Sequence, residues 1–248
     1  MVDGNIILSV AKAMELLQAL SRAEKPLTLA ELTECSGYPK STVFGLLTTM
    51  RAYDVITQTP EGKYALGLRL FEYGRQVERK WDISRVARPY MEHLSQRTGA
   101  SVMLSICEGG SVITLDQVEA RDKLRIVSDA GARLPIYCTS QGKVFLAHMP
   151  RAQAEKLLRR QSMTQFTPHT ITDVSALLQE VDACRTNGFA IENGEYKIGL
   201  RSVSAPVYTV EGKAAYAVGV IGMFRSPHSE EFRAAVEQVC VTAFMIST

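Results

Sequence analysis

Apolar residues Val10, Ala13, Met14, Leu17 and Leu20 recur at intervals of three and four, the period of a helix with one buried face over residues 9–21. In Leu27-Thr28-Leu29-Ala30-Glu31-Leu32, a threonine N-cap and a glutamate three residues on make a capping box, with Leu27 and Leu32 placed as a hydrophobic staple. That second helix ends at Ser36-Gly37. Pro39, at the first helical position, opens a third helix whose Val43, Leu46, Leu47 and Met50 share a face. Strand-like runs at 55–59 and 63–66 flank Pro60-Glu61-Gly62, a turn sequence. Helix, tight turn, helix and hairpin predict a winged helix-turn-helix over residues 1–66.

Residues 67–85 predict a charged connecting helix. Leu70, Phe71 and Val77 could make a dimer contact there, and a solvated spacer fits equally well. A helix over 86–98 then leads into strands. Runs at 101–107 and 111–118 flank Glu108-Gly109-Gly110, and runs at 203–210 and 214–223 flank Glu211-Gly212-Lys213, both hairpin signals. Further helices are expected at 142–148, 151–160, 173–186 and 229–246. Hairpin-linked strands covered by helices predict an α+β domain over 86–248.

Composition adds bounds. With 46% hydrophobic and 22% charged residues the chain is ordinary globular material, and a net charge of +2 with pI about 8.2 is too mild to announce a nucleic-acid partner in bulk. Any such charge must be placed locally. No apolar run approaches the roughly 20 residues of a membrane span, and the N-terminus lacks signal-peptide features, so a cytoplasmic protein is expected. Cys35, Cys107, Cys138, Cys184 and Cys240 lack CxxC spacing, which argues for reduced thiols and against a zinc site.

The placed charge is at the front of the third helix. Lys40, Ser41 and Thr42 stand there, and from Cys35 to Tyr53 there is Lys40 and Arg51 but no acid. In a helix-turn-helix this end enters the major groove, where short donors and a helix N-terminus meet phosphates and base edges. Phe44, Thr48 and the wing's Lys63 complete the candidate DNA contacts. The plainer alternative is that Ser41 and Thr42 only satisfy helix-start donors and Lys40 is a solvated charge.

Taken in order, SVAKAMELLQAL, PLTLAELTECSGYPKSTVFGLLTTM, GKYALGLRLFEYG, LPIYCTSQGKVFLAHMP, TPHTIT and NGFAIENGEYKIGLRSVSAPV resemble the IclR family of bacterial transcription regulators. The resemblance implies a winged helix on operator DNA, a connecting helix, and a GAF-like effector-binding domain with a helix-covered antiparallel sheet, assembled as dimers or dimers of dimers. It carries the effector pocket to Leu124, Ile126, Leu134, Ser140, Gln141, Gly142, Glu192, Ser202, Gly219 and Ile221. The ligand implied is a small organic, aromatic or sugar acid, with no cofactor. Five positions depart from the family pattern, among them Glu192, which stands where an aspartate is common. Gly45 stands where an arginine is common, Gln141 where the residue is often small, and Gly219 and Ile221 where relatives binding small acids have serines. Loss of those hydroxyls predicts a larger or less polar ligand.

Enzymatic alternatives are thin. A Cys138–His148 nucleophile pair has nothing to place its members within reach, His169 reads as a loop residue, and Glu192 with Glu195 fits no hydrolase pairing. Gly142-Lys143 lacks the longer frame of a phosphate loop. The remaining alternative is a cytoplasmic enzyme acting on a small acid, with the winged helix as a docking appendage.

Overall fold

The computed structural model describes residues 6–79, 83–120 and 131–247, without the side chains of residues 75 and 77–79. Leu124 and Ile126 lie outside this range, as does the Val77 side chain. The chain divides into two compact units, Met1–Asp82 and Ile83–Thr248.

The first unit contains α1 (Leu8–Arg22), α2 (Leu29–Ser36), α3 (Lys40–Ala52), β1 (Ile56–Gln58), β2 (Tyr64–Leu66) and α4 (Leu68–Arg79). The capping box forms as expected: Glu31 N–H donates to Thr28 Oγ1, and Thr28 N–H to Glu31 Oε2 at 2.6 Å. These bonds hold the exposed Glu31 carboxyl below its ordinary range. Gly37 then takes φ +68° and donates its N–H to Thr33 O, closing α2 with the left-handed residue that only glycine adopts without strain. Pro39 stands one place earlier than expected. It is the N-cap of α3, and Lys40 is the first helical residue.

Leu16, Leu20, Leu32, Val43, Leu47, Met50, Ile56 and Tyr64 form one buried cluster. The α3 face is as expected, but on α1 Val10 and Met14 are exposed, Ala13 and Leu17 are partly buried, and Leu16 takes the central buried place beside Leu20. The wing is tied to the helices by Leu27, whose backbone exchanges hydrogen bonds of 2.9 and 2.7 Å with Tyr64.

The second unit contains α5 (Ile83–Thr98), β3 (Ser101–Glu108), β4 (Ser111–Val118), β5 (Arg133–Pro135), α6 (Ser140–Ala147), α7 (Arg151–Arg160), α8 (Val174–Asn187), β6 (Ala190–Asn193), β7 (Arg201–Tyr208), β8 (Ala214–Gly222) and α9 (Glu230–Ser247). Its strands make one antiparallel sheet in the order β5-β4-β3-β8-β7-β6. Val102, Leu104, Val203, Ala205, Val218 and Val220 pack one sheet face against α5 and α9. On the opposite face Val112, Ala190 and Ala217 join a second core built with α6, α7 and α8.

Because side chains alternate along a strand, register assigns residues to the α6 face. Ser101, Ile221, Ser202 and Glu192 lie in one row, and Met103, Gly219 and Ser204 in the next.

Candidate nucleic-acid interface and ligand site

At the front of α3, Lys40, Ser41 and Phe44 are exposed, Thr42 is half-buried, and no acid occupies the first turn. No side chain caps this helix start, so its N–H groups keep their capacity for an anion. Val43, Leu47 and Met50 fix the opposite face in the core, which aims the polar face outward. Thr48 is exposed, but its hydroxyl donates to Phe44 O at 2.8 Å, as that of Thr49 does to Gly45 O at 2.9 Å. Thr48 therefore offers an outside partner only acceptor lone pairs. Lys63 is exposed at the wing turn, where Thr59 N–H donates to its carbonyl at 2.7 Å.

The effector positions converge on the N-terminus of α6. This helix starts two residues before the expected 142, because Thr139 caps it by accepting Gly142 N–H at 3.2 Å. A Cβ on Gly142 would stand 2.0 Å from Ile136 O, so only glycine lets the turn press onto the segment that follows β5. Ser140 Oγ lies 2.9 Å from Ser202 Oγ and 2.7 Å from Ser204 Oγ. Ser202 in turn donates to Glu192 Oε2 at 3.2 Å, while Glu192 Oε1 accepts the N–H groups of Glu195 and Tyr196 at 2.5 and 3.2 Å.

Ser202 thus donates to Glu192 and accepts from Ser140, either hydroxyl of the Ser140–Ser204 contact can be the donor, and Ser140 Oγ also lies 3.3 Å from Gln141 Oε1. Burial raises the Glu192 carboxyl above its ordinary range, against the two N–H donors that lower it.

Beneath this chain Lys143, 1% exposed, donates to Glu195 Oε1 at 2.6 Å, Ile191 O at 3.1 Å and Glu180 Oε2 at 3.4 Å. Glu195 is clasped from a further side. Thr170 Oγ1 donates to its carbonyl at 2.6 Å, and Thr167 Oγ1 to Gly194 O at 2.7 Å. Burial raises the Glu195 carboxyl, with Lys143 opposing. The segments TSQGK, TPHTIT and ENGE thus meet at one buried turn.

Ser140, Gln141, Gly142, Glu192, Ser202 and Gly219 come together, and Ile221 is the strand partner of Ser202. Leu134, on the far edge strand β5, does not join them and packs on the second core. A cavity of about 260 Å³ at the end of the sheet is lined by Ile221 with Ser101, Ala120 and Phe224.

One expectation is corrected. The Gly219 wall is not stripped of hydroxyls, because Ser204 Oγ lies 2.0 Å from where a Gly219 Cβ would be and fills that space from the neighbouring strand. Ser204, Lys143 and Glu195 were missed as members of the cluster. The alternating polar positions Ser202 and Ser204 within an apolar strand were the available signal for the first of these.

The enzymatic candidates dissolve. Burial pushes the Cys138 thiol up to about 12, so it is no thiolate at neutral pH. His148 is engaged by Val144 O and Tyr208 Oη, each at 2.8 Å. Among the described residues no group of three or more potential ligands could hold a metal, and no helix is long and apolar enough to cross a membrane.

Comparison with known proteins agrees with this geometry. The sequence model described as "IclR helix-turn-helix domain" matches residues 9–60, and that described as "Bacterial transcriptional regulator IclR C-terminal" matches 75–248. The transcriptional regulator XynR of Escherichia coli is 32% identical over 87% of this chain and 86% of its own. An IclR regulator structure from Alicyclobacillus acidocaldarius superposes with TM-score 0.82 at 26% identity, covering 98% of both chains. An IclR homolog from Microbacterium hydrocarbonoxydans, complexed with 4-hydroxybenzoate, superposes with TM-score 0.84 at 22% identity over 96% of this chain and 97% of that one. With both of its units matched, this chain belongs to the IclR family: it is a DNA-binding bacterial transcriptional regulator and not an enzyme.

Proposed function

We propose that this regulator is a repressor that works in the cytoplasm as a homodimer or a dimer of dimers, and that a small organic acid controls its grip on operator DNA. Lys40, Ser41, Thr42 and Phe44 meet the major groove, Thr48 accepts from it, and Lys63 reaches the flanking phosphates. The effector sits against the first turn of α6 and the strand face bearing Glu192, Ser202 and Ile221, its carboxylate on the helix N-terminus. The neighbour bound to 4-hydroxybenzoate supports an acid of this size.

The observation that carries the DNA reading is the uncapped, acid-free front of α3, turned outward by a fully buried opposite face. Fluorescence anisotropy with the DNA upstream of its own gene tests it. Binding should weaken steeply as salt rises, because released counterions dominate phosphate contacts. Lys40→Ala should lower affinity and flatten that slope by about one. Binding indifferent to both salt and Lys40 would sink the assignment of these contacts.

A further inference from the structure

Two buried polar groups on the effector face are short of partners among the described residues: the Ser105 hydroxyl has none, and the Gln141 amide has only long contacts. Ser105, 0% exposed, has no hydrogen-bond partner for its hydroxyl among the described residues. Gln141 is 4% exposed, and among the described residues its amide nitrogen meets only Met103 Sδ, at 3.9 Å. Its Oε1 lies 3.3 Å from Ser140 Oγ, and it shares the one proton of that hydroxyl with the oxygens of Ser202 and Ser204. Buried polar groups are almost always satisfied, and an unsatisfied one costs stability without return.

The two are neighbours on the fold. Gln141 reaches over Met103, and Ser105 is two residues further along β3 on the same sheet face, about 7 Å away along the strand. In those rows β8 presents Gly219 and Ala217, and β4 presents Gln117 and Thr114. Lys143, the cation closest in sequence, is spent on Glu195, so the pair forms a neutral donor–acceptor set.

We infer that Gln141 and Ser105 form a subsite that reads a hydroxyl group on the effector, so that the ligand is a hydroxylated acid and the unsubstituted acid is discriminated against. This rests on the effector reading above and adds what it lacks: a role for the Gln141 side chain, and Ser105 as a contact. An amide and a hydroxyl left short of partners can together donate to and accept from one ligand hydroxyl. A ligand lacking it leaves them unpaired, the situation in which such sites discriminate most strongly.

Two measurements test it. In the free protein, Gln141→Met and Ser105→Ala should each raise the melting temperature of the effector domain by about 2–4 °C, because each removes a poorly satisfied group at nearly constant shape. A fall for either would mean that the group is already satisfied, for instance by a fixed water, and would overturn the inference.

The second measurement is calorimetric titration with paired probes: benzoate and 4-hydroxybenzoate, butyrate and 3-hydroxybutyrate, hexanoate and gluconate. In at least one pair the wild type should bind the hydroxylated member about tenfold or more tightly. Gln141→Met should bind both members of that pair alike. Equal binding by the wild type, or a preference that survives Gln141→Met and Ser105→Ala, overturns the subsite while leaving the effector reading standing. Absence of binding by every probe removes both.

Discussion

Gly45 faces solvent from the middle of α3, and nothing lies within 4 Å of where its Cβ would be. The backbone there is ordinary helix, so glycine brings only its entropic cost, about 1 kcal/mol relative to alanine. Gly45→Ala should therefore stabilise the winged helix by about that amount in chemical denaturation, with little effect on its shape. Gly45→Arg should do the same and also strengthen operator binding, because the new guanidinium would project beside Phe44 and Thr48 where phosphates approach. An arginine variant that binds DNA no better would show that this stretch of α3 stands clear of the duplex. Thr48 carries a related limit. With its proton donated to the helix it can accept from a base amino group, and it cannot donate to a phosphate.

α6 shows what periodicity can and cannot reveal. Its eight residues, Ser-Gln-Gly-Lys-Val-Phe-Leu-Ala, are all buried, so no polar face exists to mark its phase, and a lysine in the middle argues for surface. Lys143 becomes intelligible only through Glu195, a residue 52 positions away that strand pairing brings beside it. The winged helix was legible because capping, glycine turn and amphipathic faces are local signals. The first and last strands of the effector sheet's order, β5 and β6, were not equally so. β5 has three residues at a sheet edge, and β6 has four residues emerging from a helix turn. The cluster was half legible. Ser140, Glu192 and Ser202 came from resemblance, while Ser105, Ser204 and Glu195 depend on which strand lies beside which. The buried pair predicts a specific asymmetry. Lys143→Met leaves Glu195 without its cation and should cost about 3–5 kcal/mol, whereas Lys143→Met combined with Glu195→Met should recover most of that loss. Urea unfolding of the two variants measures this, and a double variant no more stable than the single one would deny the pair its role.

Across the whole molecule the two units have separate cores, so their stabilities should respond separately to pH. The acids displaced upward by burial, Glu192 and Glu195, both belong to the effector unit. From an ordinary value near 4.5, each is protonated in folded and unfolded chains alike at lower pH, and there its contribution to stability is complete. As pH rises past that value the unfolded chain releases its proton first, which favours unfolding until the raised folded-state pKa is passed. Stability of the effector unit should therefore decline over that interval and then level. The opposite case, Asp182, which the side chain of Arg151 holds below its ordinary 3.8, acts only at lower pH and leaves this window clear. In the DNA-binding unit the displaced carboxyls, Glu31 and Glu61, are both lowered and fully exposed, so its melting should stay nearly flat above pH 4.5. Calorimetry from pH 4.5 upward should show the effector-unit transition moving down with pH. Glu192→Gln should shallow that slope without abolishing it, since Glu195 still titrates. If the Gln variant keeps the full slope, Glu192 is not among the groups that folding forces into a dry environment.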